Sequence, residues 1–215
     1  IDLTHLVFAD DLLLFCKGEC DSIKLLFEGV QLFSNISGMK PNPSKCTCFF
    51  GNVDRFTMLY ALHITQFSEG SLPIYYLGLP LISGTLKAQH CNLLISKFTR
   101  KINLWTCKFI SQAGRIQLIR SVLFGILGFW IMYIFLPSAF IKKIQSIFAK
   151  FLWKGSISGT CLHKIAWVKC CYSKSEGGLG FKNLHKWNEA AILFQLWRIV
   201  TKASSIWVRW IHSYE

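Results

Sequence analysis

The stretch "HLVFADDLLLF", residues 5–15, decides how this chain is read. Two adjacent carboxylates, Asp10 and Asp11, stand between two apolar runs. One reading is two strands joined by a polar turn, because the short Asp side chain bonds its own backbone there. The other makes the turn a delivery device. A hairpin tip held by two buried strands would fix two hard oxygen donors rigidly, as Mg²⁺ requires. A plain turn more often carries Gly or Asn than two acids that repel each other.

Working outward, charge is the next signal. The chain has 215 residues and a formal net charge of +13. Residues 1–70 hold eight acids and five Lys/Arg, a net of −3. Residues 71–175 hold fourteen Lys/Arg and no Asp or Glu. Residues 176–215 return to a net of +2. An ordinary solvated surface mixes both signs. A segment of 105 residues without one acid attracts polyanions and repels cations, and the acids needed to hold a metal lie before it.

Hydrophobic residues make up 52% of the chain and charged residues 16%, enough for a sizeable core. The chain opens at Ile1, already close to an apolar pattern, and reads as a piece of something longer. None of the nine cysteines forms a CxxC pair. An odd count without a secretory signal predicts reduced thiols and a cytoplasmic or nuclear setting, not a secreted one. Cys161, His163, Cys170 and Cys171 lie near one another in sequence, but their spacing fits no common zinc module.

Along the chain, Asp21 is expected to cap a helix over residues 22–37, ended by Gly38. Pro41 and Pro43 make residues 39–45 a loop. Residues 46–51 read as a strand, and residues 72–82 as two short strands around Gly78. From about Lys87 the period changes. Cys91, Leu94, Ile95, Phe98, Ile102 and Trp105 share one helical face, with Lys97, Arg100 and Lys101 off it. Ser111 is placed to start a second helix and Pro137 a third, whose inward face carries Phe140, Ile141, Ile144, Ile147, Phe148, Phe151 and Leu152. A last amphipathic helix is expected over about 183–201. Residues 122–141 carry no charge and match the length of a membrane span. Gly125, Gly128 and Pro137 interrupt the run and its aromatics sit mid-run, so it reads as a buried core helix and turn, with no membrane partner.

Taken in order, these pieces resemble a known family. "HLVFADDLLLF" is similar to motif C of reverse transcriptases, an aromatic-x-Asp-Asp pattern on a β-hairpin. "SGMKPNPSK" is similar to the motif D loop of that family and "YYLGLPL" to the segment that grips the primer. "LWTCKFISQAGRIQLIRSVL", "FLWKG", "KIAW" and "EGGLGFKNLHKWNEA" look like the thumb and post-thumb region of plant-like LINE-type, non-LTR retrotransposon enzymes.

The resemblance implies an α+β fold: a partial polymerase palm of β-hairpin, helix and strand, then a mostly α-helical thumb and post-thumb region. It divides the chain into palm at 1–86, thumb-like helices at 87–155 and post-thumb helices at 156–215. It implies RNA-directed DNA synthesis, with an RNA template, a DNA primer and deoxynucleoside triphosphates as partners and Mg²⁺ or Mn²⁺ as cofactor. Asp10 and Asp11 match the catalytic metal ligands. Phe8 and Ala9 match the floor under the primer end, and Lys45 matches the motif D lysine near the departing pyrophosphate. Tyr76, Leu77 and Gly78 match the primer grip. Lys97, Arg100, Lys101, Arg115, Lys143, Lys150 and Lys154 are the candidates for nucleic-acid backbone contacts. The family's motif A, motif B and fingers are not in these residues, so the upstream palm and fingers of the same polypeptide count as a missing partner. A fragment inactive alone is the expectation. The alternatives are a non-catalytic nucleic-acid-binding remnant and an intron-maturase-like protein.

Overall fold

A computed structural model describes residues 3–106, 109–159 and 164–214. Its class is α+β, weighted strongly to helix. The chain divides into two compact units, residues 1–74 and 75–215.

The first unit opens with an antiparallel hairpin, β1 (His5–Phe8) and β2 (Asp11–Leu14). His5 pairs with Leu14 and Phe8 with Asp11, so Ala9 and Asp10 alone form the turn. Helix α1 spans Cys20–Ser37 and ends at Gly38, whose φ of 74° sends its N–H back to the Ser34 carbonyl. The helix starts two residues before the expected position. Glu19 is the cap residue and makes no side-chain cap bond, while Asp21 sits in the first turn, where the helix dipole favours a negative charge. The strand expected over 46–51 shrinks to β3 (Thr47–Cys48), paired in parallel with β4 (Ser68–Glu69).

Between those strands lies α2 (Arg55–Thr65), a helix that the apolar pattern does not announce. Asp54 caps it, accepting from the Thr57 N–H at 3.0 Å and from the Thr57 hydroxyl at 2.6 Å. The hydroxyl and amide of Thr57 hold the Asp54 carboxyl below its ordinary value. The core of this unit is small: Ile23 and Ala61 are its buried apolar side chains among the described residues.

One expectation fails here. The strands flanking Asp10 and Asp11 are not buried: Leu6, Val7, Phe8 and Leu12 are 39%, 63%, 59% and 48% exposed. A two-stranded ribbon has two faces and its unit ends at residue 74, so its apolar side chains exceed what this unit covers.

Another hairpin follows at the start of the second unit, β5 (Ile74–Tyr76), whose first residue is the last of the first unit, and β6 (Leu79–Leu81). Leu77 and Gly78 both have positive φ, 51° and 84°, the pattern of a tight hairpin turn. A 3₁₀ turn over Ala88–Cys91 leads into α3 (Asn92–Thr106). Then α4 (Gln112–Leu118) passes through a π-helical turn at Ile119–Leu123 into α5 (Phe124–Tyr133) without a break. Ser111 caps α4, its hydroxyl accepting from the Gly114 N–H. After an extended Ile134, Pro137 is the cap residue of α6 (Ser138–Lys154). Two short helices, α7 (Trp167–Cys170) and α9 (Ile206–Ile211), flank the long α8 (Leu184–Val200).

The core sits among these helices. Leu94, Phe98 and Ile102 of α3 meet Ile144, Phe148, Phe151 and Leu152 of α6, all fully buried or nearly so. Phe98 and Phe148 pack edge to face at 5.3 Å, and Phe124 is surrounded by Phe148, Phe181 and Trp187. Each such side chain contributes about 1.5–3 kcal/mol by leaving water. The helix over Gln112–Tyr133 is long and apolar enough to cross a membrane by length and composition. Here Leu123, Phe124, Leu127, Trp130 and Ile131 are buried within the unit, and the uncharged run turns between Tyr133 and Pro137.

The Gly-rich 175–184 segment folds back on the end of α7. Leu179 and Phe181 N–H groups donate to the Cys170 carbonyl and the Gly180 N–H to the Tyr172 carbonyl. A Cβ on Gly178 would collide with the Tyr172 carbonyl, so only glycine fits. Arg120 reaches from the π-helical turn to the Leu179 carbonyl and lies over the Phe181 ring, pinning the segment to the core.

Candidate functional site

Asp10 and Asp11 sit at the end of the first hairpin, Asp10 in the turn and Asp11 opposite Phe8. Both are exposed. The turn needs its first residue at positive φ, and Ala9 supplies it at 49°. An L-residue in that region costs roughly 1–2 kcal/mol, so the hairpin bond network holds Ala9 against its preference. Ala9→Gly is therefore expected to slow amide exchange across the ladder of β1 and β2, by roughly five-fold for about 1 kcal/mol of relief. Faster exchange in the variant would show that the turn is not strained at Ala9.

Two adjacent carboxylates are hard oxygen donors, the chemistry Mg²⁺ and Mn²⁺ take. Among the described residues no three His, Cys, Asp or Glu side chains converge. The donor type fits, and the donor number is short. Mg²⁺ prefers six oxygens, usually with waters and substrate phosphates filling the remainder.

Lys45 lies in the same unit on a loop with its own scaffold. The Asn42 side-chain carbonyl accepts from the Ser44 N–H at 3.1 Å and its hydroxyl at 2.7 Å, and the Asn42 backbone carbonyl accepts from the Lys45 N–H at 2.9 Å. This Asx turn fixes the backbone and leaves the Lys45 side chain exposed.

In the second unit the structure brings two predicted groups together. A Cβ built on Gly78 would lie 3.7 Å from the Lys97 amine, which places the Leu77–Gly78 turn against α3. The Tyr75 hydroxyl donates to the His90 carbonyl at 3.0 Å and secures the hairpin there. Tyr76 is half-buried and Leu77 exposed. Lys97, Arg100 and Lys101 are exposed on α3. Arg100 borders a shallow groove of about 620 Å³ with Ser96, Thr99 and Asn103, polar neighbours that sequence reasoning passed over. Their signal was helical spacing on the face opposite the apolar stripe.

On α6, Lys143 is exposed and Lys150 half-buried, while the Lys154 amine donates to the Ser158 carbonyl at 2.9 Å. Arg115 has a different environment. It is half-buried, its Nε donates to the Ile110 carbonyl and its Nη1 to the Leu152 carbonyl, each at 3.2 Å. It ties the start of α4 to the C-terminal end of α6, where a cation also meets the negative end of the helix dipole. The residue joins two helices, a role that sequence position alone did not reveal.

The seven described cysteines in the free state are Cys16, Cys20, Cys46, Cys48, Cys91, Cys170 and Cys171. Burial pushes the Cys91 thiol up to about 11, and burial together with Cys170 does the same for Cys171. A thiol must lose its proton to ligate zinc. Cys161 and His163, the other members of that sequence cluster, lie outside the described residues.

No protein-family model matches the chain. It is 26% identical over 129 residues, 60% of its length, to a protein of Arabidopsis thaliana named "Putative ribonuclease H protein". It is 33% identical over 73 residues, 34% of its length, to an "Uncharacterized mitochondrial protein" of the same plant. The matches cover 21% of the first relative and 47% of the second, so the chain spans less than half of either.

Proposed function

We propose that this chain is part of a retroelement-derived protein, and specifically the segment of a non-LTR reverse transcriptase running from the catalytic hairpin through the thumb. The observation that carries the reading is the two-residue turn that presents Asp10 and Asp11 at the tip of an antiparallel hairpin. The second support is the acid-free stretch of residues 71–175, with fourteen Lys/Arg, that follows it in sequence. A relative named for ribonuclease H fits a retroelement origin, since such elements degrade the RNA strand of the hybrid they make.

In this reading Asp10 and Asp11 hold Mg²⁺ or Mn²⁺, together with an acid from the upstream palm of the same polypeptide. The bound metals supply charge stabilisation for attack of a primer 3′-hydroxyl on a nucleotide α-phosphate. Phe8 and Ala9 shape the floor under the primer end. Lys45 offers a cation near the leaving pyrophosphate. The Leu77–Gly78 turn brings backbone close to the primer, with Lys97 beside it to meet a phosphate. Arg100, Lys101, Lys143, Lys150 and Lys154 grip the RNA–DNA duplex by its phosphates. The setting is nuclear or cytoplasmic, where templates and nucleotides meet. A second reading, a non-catalytic nucleic-acid-binding remnant or a maturase-like protein, is favoured by the short donor set around Asp10 and Asp11.

Binding tests the part common to both readings. If roughly five phosphates are neutralised, log K falls with log salt at a slope of roughly −4 to −5. Changing Lys143, Lys150 and Lys154 together to Ala should weaken duplex binding and make that slope shallower by roughly 2–3. A slope near zero in the unaltered chain removes the phosphate-contact basis of the proposal.

A further inference from the structure

A cavity of about 490 Å³ opens in the second unit where three helix ends meet. Trp105 and Thr106 come from the end of α3, Ser111 and Arg115 from the start of α4, and Phe151 from the end of α6. The Trp105 and Phe151 rings lie 5.6 Å apart, tilted by 36°. Phe109 also lines the cavity, and its ring is fully exposed, so it contributes nothing to the core.

Arg115 and Lys154 give the cavity its charge, and the Lys154 amine donates to the Ser158 carbonyl while the Arg115 guanidinium is held in place. The Arg115 bonds to the Ile110 and Leu152 carbonyls use Nε and Nη1, fix the guanidinium plane and leave Nη2 outside both. Gly155 makes room for it, since a Cβ there would lie 2.9 Å from the guanidinium carbon. No carboxylate of residues 71–175 competes for it, because that stretch contains none.

A fixed guanidinium beside aromatic rings suits an anion that carries a planar base: the phosphate takes the guanidinium edge and the base takes a ring face. The volume lies in the range of small-ligand sites and is far too small for a duplex. A paired base is already stacked on its neighbours and has no face to offer. We propose that this cavity takes one unpaired nucleotide of a single-stranded nucleic acid, with its base stacked on Phe109 and its phosphate on Arg115. The site rests on the reading of this chain as a nucleic-acid-binding protein, and adds to it a place for a strand outside the duplex.

Phe109→Ala is the decisive variant, because an exposed ring can be removed without loss of core packing. The probes are octauridylate, uridine monophosphate and a blunt twelve-base-pair RNA–DNA duplex, read by competition against a labelled octauridylate in fluorescence anisotropy. Loss of one base–aromatic stack is expected to weaken octauridylate binding by roughly 5- to 150-fold. Duplex binding should change by less than two-fold, and the salt slope for octauridylate should be unchanged, since stacking releases no counterions. An unchanged octauridylate affinity, or an equal loss for the duplex, overturns the site while leaving duplex binding as a function. Uridine monophosphate binding as tightly as the octamer overturns the strand assignment. Failure of the unaltered chain to bind any of the three overturns the site and the nucleic-acid reading together.

Discussion

In a longer polypeptide that supplies the upstream palm, Asp10→Ala is expected to abolish primer extension on an RNA template, lowering the rate on the order of 10³-fold or more. Metal stabilisation of the attacking and leaving oxygens is worth several kcal/mol, and each 1.36 kcal/mol is a factor of ten in rate. Duplex affinity should stay within about two-fold, because the proposed phosphate contacts come from α3 and α6, not from the hairpin tip. The measurement is a primer-extension gel beside a binding isotherm for the unaltered and variant polypeptides. Full extension by Asp10→Ala would take Asp10 out of the metal site. Extension by residues 1–215 alone would show that no upstream acid is needed, and would overturn this account of the donor set.

The second large effect concerns Asn188, the most buried polar side chain on α8. It is 1% exposed. Its side-chain carbonyl accepts from the Leu136 N–H at 2.8 Å, and its amide donates to the Ile131 and Ile134 carbonyls at 3.0 and 2.8 Å. These three bonds replace the helical partners that the backbone loses where α5 ends and the chain turns toward Pro137. Asn188→Leu keeps the volume close and leaves a buried N–H and two carbonyls unpaired. At about 1–3 kcal/mol for each stranded group, partly relieved by water, the expected loss is roughly 3–5 kcal/mol. Thermal denaturation followed by near-UV circular dichroism should show a fall on the order of 10 °C. Glu189→Ala, one residue on and exposed, should stay within about 0.5 kcal/mol. An Asn188→Leu variant as stable as the parent would mean that the turn after α5 does not need these bonds.

The helices legible in the sequence are those with a one-sided apolar stripe. α3 and α6 place their expected faces inward: Leu94, Phe98 and Ile102 on one, Phe140, Ile144, Phe148 and Leu152 on the other. α2 was not legible because its large residues face water. Phe56 and Leu59 are exposed, and the side chains it buries are Thr57 and Ala61, so the periodic signal is inverted. α9 is six residues long, too short for a period to show. The turn at the paired acids was legible because two strands flank them, but it falls one residue earlier than the Asp-Asp pair: Ala9 and Asp10 form it and Asp11 opens β2. The cover expected over those strands was not found, since burial depends on what packs on a hairpin and not on the hairpin itself.

The sequence by itself determined the mix of short strands and amphipathic helices, the acid-free stretch at 71–175 with eight of the eleven acids before it, and the placement of Asp10 and Asp11 at a hairpin tip. Those are local properties, set by side-chain period, turn chemistry and composition. The tertiary structure alone decided the partners across long separations. It set the Leu77–Gly78 turn beside Lys97, engaged Arg115 with a carbonyl 37 residues away, and placed Asn188 where it closes the end of α5. Such contacts depend on how helices cross, and a side chain one turn away on the same face would carry an identical local signal yet meet a different neighbour.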